Sequence, residues 1–216
     1  MKICRTKDEM RGHLAEARRR GKSVGLVPTM GALHNAHMSL VKASVAANDV
    51  TVVSIFVNPA QFGPNEDFAG YPRRLEEDAL LCKKGGADFV FAPEASQMYS
   101  ADFSTYVEEK ELSKPLCGVS RPTHFRGVTT VVAKLFNIIQ PDRAYFGRKD
   151  AQQALVVQRM VRDLDIPVEI VVMPIVRESD GLAISSRNKY LSGDRSEEAV
   201  ILSKALKAAE KMFSMG

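Results

Sequence analysis

Two histidines, His34 and His37, close the run Pro28-Thr29-Met30-Gly31-Ala32-Leu33, where a short apolar segment gives way to helical spacing. Residues at i and i+3 share one face of a helix, and the first turn of a helix carries backbone N–H groups with no partner inside it. Such a terminus favours phosphate, and two imidazole donors beside it strengthen that preference. The chemistry this spacing suits best is the handling of nucleotide phosphates.

Four more segments gather polar groups at predicted strand ends: 58–63 (NPAQFG), 121–127 (RPTHFRG), 147–153 (GRKDAQQ) and 184–188 (ISSRN). Read together they offer amides to a small polar substrate, and lysine, arginine and hydroxyl donors to phosphates. Neither a Walker A sequence nor GxGxxG is present, so P-loop and dinucleotide readings have no support. Each group also has a plainer reading. The histidine pair could bind zinc, but no nearby cysteine or third histidine completes a site. His124 reads at least as well as an ordering residue of its loop as a catalytic one. Lys149-Asp150 could be a solvated charge pair, and Ser185 and Ser186 a cap or a turn. His13 reads as a surface residue, and Glu76 and Glu77 as helix-face charges.

The elements that must carry these groups alternate. Residues 7–20 predict a polar, solvent-facing helix with Arg18-Arg19-Arg20 on its wet face, and 24–27 a buried strand ended by Pro28. Leu40, Val41, Ser44 and Val45 continue the inward stripe that His34 and His37 begin. Residues 50–57 are almost wholly apolar and β-branched, as in a strand covered on both faces. A helix near 75–84 and a strand at 88–91 follow. Val128, Val131, Val132, Leu135, Ile138 and Ile139 form a helical stripe. Residues 144–146 are a strand candidate, 152–164 an amphipathic helix and 168–173 a buried strand. This alternation predicts an α/β domain around a mainly parallel sheet, whose ligands bind beyond the carboxyl ends of the strands. His34, Asn58 and Lys149 each follow a predicted strand, so three loops converge on one edge.

The chain has 216 residues and a formal charge of +4, room for one large domain or one domain with an appendage. A small surface excess of lysine and arginine accounts for that charge. An anionic small molecule is the next reading, and nucleic acid comes last for want of an arginine–aromatic stripe. Cys4, Cys82 and Cys117 are scattered, which suits reduced thiols in the cytoplasm. No apolar run nears the ~20 residues that cross a bilayer, and the polar start lacks a signal-peptide core. A boundary is expected after Asn188, giving a domain 1–188 and a start of a second at 189–216. In the latter, Tyr190-Leu191-Ser192-Gly193-Asp194 reads as a turn and helix entry. A helix over 197–213 would align Ile201, Ala205, Ala208 and Met212.

PTMGALHNAHMSL at 28–40, FVNPAQFGPNED at 56–67, GRKDAQQ at 147–153 and ISSRN at 184–188 together resemble the pantothenate synthetase (pantoate–β-alanine ligase) family, in matching order. The resemblance implies a Rossmann-like nucleotidyltransferase fold with a mainly parallel sheet, plus the start of a small C-terminal domain. It implies a reaction in which ATP and pantoate give pantoyl adenylate and pyrophosphate, after which β-alanine takes the acyl group and releases AMP. Mg²⁺ accompanies the nucleotide. By the same resemblance His34, His37, Lys149, Ser185, Ser186 and Arg187 hold the phosphates and carry the catalysis. Gly147, Asp150, Val176 and Met30 complete the ATP site. Gln61 and Gln153 hold pantoate, with Met30 lining its pocket and Asn58 and Arg121 behind them. Asp78 is the candidate nearest the metal. A cytoplasmic homodimer without nucleic-acid or membrane partners is implied.

Two departures stand out. The family usually reads His-Glu-Gly-His, where this chain has His34-Asn35-Ala36-His37, and a β-carbon at Ala36 intrudes on space a nucleotide would use. Family members also carry a fuller C-terminal domain over the active site, and only its opening helix is recognisable here; less cover would expose the acyl adenylate to water. The rival functions are another nucleotidyltransferase of the same superfamily, and a nucleotide- or pantoate-binding domain with little turnover. The neutral pair Gln61 and Gln153 suits a small hydroxy-acid better than a phosphorylated acceptor.

Overall fold

A computed structural model describes the chain except Asn65, Asp67, Ser192, Gly193 and Gly216, and the side chains of Lys189, Tyr190 and residues 194–197 are also left aside. The expected turn at 190–194 therefore falls largely outside the described residues, as do Asn65 and Asp67 of the second motif.

The chain runs β1 (Lys2–Cys4), α1 (Lys7–Arg19), β2 (Val24–Thr29), α2 (Asn35–Ala47), β3 (Val50–Ile55), α3 (Leu75–Lys84), β4 (Phe89–Phe91), two short helices α4 (Ala95–Met98) and α5 (Cys117–Ser120), α6 (His124–Ile139), β5 (Arg143–Gly147), α7 (Ala151–Asp163), β6 (Glu169–Met173) and α8 (Asp194–Ser214). The six strands form one sheet in the order β1-β4-β3-β2-β5-β6, and every pair is parallel. The α/β fold with a parallel sheet is as expected. Parallel strands need helical crossovers, and these cover both faces. Met10 and Leu14 of α1 pack with the apolar stripe of α6 and with Val157 and Met160 of α7. On the other face Leu40 and Val41 of α2 pack with Cys82 of α3. Helix α6 is apolar almost all round because it is enclosed almost all round.

Several expectations change. β2 runs through Pro28 to Thr29, with Pro28 opposite Ser54 of β3. β5 pairs with β2 only at Gly25 and Leu26, so Pro28 lies past the rungs on that side and its missing N–H breaks none of them. β6, expected to be buried, is only half-covered, because it ends the sheet and has β5 as its single strand partner. The terminal β1 has no counterpart among the expected strands; three residues are too few for an alternation to stand out. Arg18 does not belong to a wet face. Its guanidinium donates to the carbonyls of Ile139 and Gln140, capping the end of α6, while Arg19 and Arg20 pair with Glu16 on the surface. His13 is half-buried and stacked on Phe89 at 5.2 Å. Val45 is exposed, whereas Leu40, Val41 and Ser44 are buried. On α8, Ile201 and Met212 of the expected stripe are exposed, and Val200 and Ser203 are buried.

Candidate active site

Strand order reverses between β2 and β5: the chain leaves β2 toward β3 on one side and later returns to lay β5 on the other. Loops leaving these two carboxyl ends diverge and open a crevice, the usual ligand position in such sheets. A cleft of about 220 Å³ lies there, and its walls include His34, His37, Asn58, Gln61, Lys149 and Gln153. Met30, Gly147, Asp150, Ser185, Ser186 and Arg187 also line it. The three loops converge as expected.

One wall is cationic and rich in open donors. His34 is the N-cap of α2. Its backbone N–H donates to Nδ1 of His37 at 3.3 Å, and the two rings lie 4.1 Å apart. Because that Nδ1 accepts, a neutral His37 carries its proton on Nε2. Burial, then the neighbouring His34, then Lys149 push His37 down to about 3. Burial and Lys149 lower His34 as well, and its buried Nδ1 has no hydrogen-bond partner among the described residues. Lys149 reaches Asp150 at 3.5 Å, an exposed pairing of small value. Ser185 Oγ accepts from the N–H of Arg187 at 3.2 Å, so the capping reading of Ser185 holds while the residue still faces the cleft.

The opposite wall is neutral. A 3-10 turn, Pro59–Gln61, follows β3 and is capped by Asn58. Asn58 is 1% exposed. Its Oδ1 accepts from the Ala60 N–H at 3.3 Å and the Tyr99 hydroxyl at 2.7 Å. Its Nδ2 donates to Gln61 Oε1 at 3.1 Å and the Gly127 carbonyl at 3.0 Å. The Gln61 amide is thereby oriented, with Nε2 toward Met30 Sδ at 3.0 Å. Gly127 lets α6 approach this turn: a Cβ there would stand 2.2 Å from the Ala60 carbonyl oxygen.

The remaining expected residues stand behind the walls. Asn58 touches the cleft, but its hydrogen bonds are spent on holding Gln61. Arg121 is not a wall residue. It forks onto Glu66, holding that carboxyl below its usual range. It also donates to His124 Nε2 at 3.2 Å, leaving Nδ1 to donate to the Gln61 carbonyl at 3.0 Å. His124 thus orders the turn, and burial lowers its pKa. Val176 does not line the cleft either; its carbonyl accepts from Ile184 N–H at 3.0 Å and anchors the serine loop. Asp78, the residue expected nearest the metal, is engaged by the backbone. Both carboxylate oxygens accept backbone N–H groups, of Ala32 and Leu33, and the residue faces a neighbouring cavity instead. Among the described residues no three of His, Cys, Asp or Glu are grouped to hold a metal. Tyr71 is a site residue that sequence reasoning missed. It lines the cleft and is hydrogen-bonded to Ser186, and burial raises its pKa against the opposing pull of Arg187. Its only sequence signal is an aromatic residue on the loop after the amide motif.

Chemically, the cleft can hold a polyanion against the histidines, Lys149 and Arg187 while a small polar molecule sits on the glutamines. Cys4 and Cys82 are buried in the core, and no cysteine lines the cleft. The arrangement therefore serves positioning and charge stabilisation rather than attack by a cysteine.

Over residues 2–215 the sequence matches the family described as Pantoate-beta-alanine ligase. It is 57% identical to the pantothenate synthetase of Moorella thermoacetica over all of this chain and 76% of that protein. It is 58% identical to that of Thermotoga neapolitana, over all of this chain and 77% of that one. The fold overlays the crystal structure of pantothenate synthetase from Thermus thermophilus with a TM-score of 0.94 at 49% identity, covering 100% of this chain and 77% of that one. A pantoate-beta-alanine ligase from Francisella tularensis, solved with beta-gamma ATP and beta-alanine, overlays with a TM-score of 0.88 at 38% identity, covering 96% and 79%.

Proposed function

The chain belongs to the pantoate-beta-alanine ligase family, and we propose how its cleft divides that family's ATP-dependent work between two walls. The observation that carries the proposal is the meeting of His34, His37 and Lys149 with Gln61 and Gln153 around one crevice. ATP lies with its phosphates along the histidines, Lys149, Ser185, Ser186 and Arg187, and its adenosine near Gly147 and Asp150. At Gly147 a Cβ would meet nothing within 4 Å, so the chain's own packing leaves that space open. Pantoate lies on Gln61 and Gln153 beside Met30, with Asn58 and Arg121 supporting from behind.

In the first step a carboxylate oxygen of pantoate attacks the α-phosphorus, and the bond to pyrophosphate breaks with its electron pair leaving on the pyrophosphate. Negative charge grows on the phosphate oxygens, where the Nε2–H of His37, His34, Lys149 and the α2 N-terminus can offset it. In the second step the β-alanine amine attacks the acyl carbon, AMP departs, and the amine's proton passes to solvent. Mg²⁺, when it accompanies the triphosphate, supplies charge neutralisation at the phosphate oxygens. Asp150 is the carboxylate among the lining residues that would hold it. The described residues that line the cleft all fall within 1–188. A cytoplasmic homodimer fits the unpaired cysteines and the resemblance, and light scattering would read the oligomer.

Purified protein with ATP, Mg²⁺, pantoate and β-alanine is expected to yield AMP and pantothenate by mass spectrometry. Omitting β-alanine should leave pantoyl adenylate on the enzyme. Binding of ATP and pantoate without AMP would favour a domain with little turnover, and AMP formation independent of pantoate would favour a different acceptor.

A further inference from the structure

The turn that delivers the histidine pair has an unusual shape. Gly31 and Ala32 both lie in the left-handed region, at φ +85 and +52, which glycine adopts freely and alanine only against its β-carbon. Backbone N–H groups of such a turn can converge on one side and form a concavity that gathers an anion. Here the anion belongs to the chain. Asp78, in the first turn of α3 and 2% exposed, accepts from Ala32 N–H through Oδ2 at 2.9 Å and from Leu33 N–H through Oδ1 at 2.8 Å. Thr29 Oγ1 accepts from Gly31 N–H at 3.2 Å. The fit is close: a Cβ on Gly31 would stand 2.9 Å from Asp78 Oδ2 and 3.1 Å from Ile55 Cγ2. No lysine or arginine pairs with Asp78 among the described residues. The next residue along is His34.

We propose that Asp78 is a positioning residue for the phosphate wall: by clamping the Gly31–Ala32–Leu33 turn it fixes where α2 begins, and so the spacing and aim of His34 and His37. The inference rests on the function proposed above. A buried carboxylate whose oxygens meet backbone N–H groups is held by those bonds, and they in turn hold the backbone. The same clamp explains how Ala32 keeps a conformation it would otherwise leave.

Asp78→Asn keeps the shape but turns an NH₂ group toward one of the two backbone N–H groups. It is expected to lower kcat for pantoate-dependent pyrophosphate release 10- to 100-fold. KM for pantoate, held by Gln61 and Gln153 on other elements, should stay within twofold, as should the Mg²⁺ concentration giving half the maximal rate. Ala32→Gly relieves the turn; alone it should change kcat less than twofold, and combined with Asp78→Asn it should restore several-fold of the lost rate. Leu14→Ala, a core change in α1, is the comparison for lost stability and should leave kcat unchanged below its melting temperature. An unaltered kcat in Asp78→Asn, or no recovery with Ala32→Gly, overturns the clamp. A shifted Mg²⁺ requirement also overturns it, returning Asp78 to the metal. Should the unaltered protein form no AMP, the functional reading fails, and the clamp is still read by NMR: Asp78→Asn should displace the imidazole nitrogen signals of His34 and His37, and unmoved signals overturn it.

Discussion

On one side of the cleft Asn58 has both acceptor and both donor positions filled by Ala60, Tyr99, Gln61 and Gly127. On the other, among the described residues, His34 Nδ1 is buried with no hydrogen-bond partner, and the ion pair of Lys149 is a long contact to a mostly exposed aspartate. The neutral wall is finished before any ligand arrives, since amides and hydroxyls can satisfy one another without charge. The charged wall cannot be finished that way. Asp150, the carboxylate that shares this wall, makes a long, exposed contact with Lys149, while the buried carboxylate, Asp78, stands one layer back. The neutral wall should thus act through geometry, and the cationic wall through charge.

The sharpest way to break that contrast is to damage each wall separately. Lys149→Ala removes a charge at a solvent edge and is expected to lower kcat by about 10²–10³, the usual range for one transition-state donor. Its melting temperature should hardly move, because the Asp150 pairing is weak. Gly127→Ala drives a Cβ against the Ala60 carbonyl. It should cost about 1–3 kcal/mol of stability, typical of overpacking, and raise KM for pantoate about tenfold with a smaller effect on kcat. Thermal melts and initial rates on both variants test this, and a large melting shift in Lys149→Ala with none in Gly127→Ala would reverse the assignment.

A second, smaller effect concerns protons. His37 is held near 3 in the free protein, below its ordinary value of 6.5. The unfolded chain therefore binds a proton that the folded chain rejects. The stability involved is fully present above pH 6.5 and is lost as pH falls from there toward 3. A triphosphate reverses the local field and raises the imidazole pKa, so ATP should bind with proton uptake and more tightly at about pH 6 than at about pH 8. Calorimetry in two buffers of different ionisation enthalpy reads the uptake directly; its absence would show that the histidines stay neutral beside the phosphates.

Local pattern made part of this legible. The apolar run of β3, the stripe of α6 and the bounds of α3, Leu75–Lys84, could be read because each is decided by its own period and end signals. The edge position of β6 could not, because sheet order depends on which distant strands pair. The supports of the site were hidden for the same reason. Arg18 meets Ile139 across 121 positions, Tyr99 meets Asn58 across 41, and Asp78 meets Ala32 across 46. The polar residues facing the cleft, Tyr71 excepted, were legible through resemblance and chemistry. Behind it, Arg121 keeps the supporting place the resemblance implied, while Asp78 and Val176, expected near the metal and the nucleotide, bond backbone groups.

The smallest expected effect is at Ala36, which lines the cleft on the first turn of α2, where the family usually has glycine. Two consequences of Ala36→Gly oppose each other and can be measured apart. Glycine is a poorer helix former than alanine by up to about 1 kcal/mol, an effect that is weaker in a first turn, so the melting temperature should fall by roughly 2 °C. Removing the β-carbon also lets a nucleotide approach the α2 backbone, whose N–H groups are the donors nearest the histidines. ATP affinity should therefore rise about three- to tenfold while pantoate affinity stays level, because the neutral wall is untouched. Equal ATP affinity in the two proteins would mean that the phosphates bind through side chains alone, and the cationic wall would then owe nothing to the helix end on which its histidines stand.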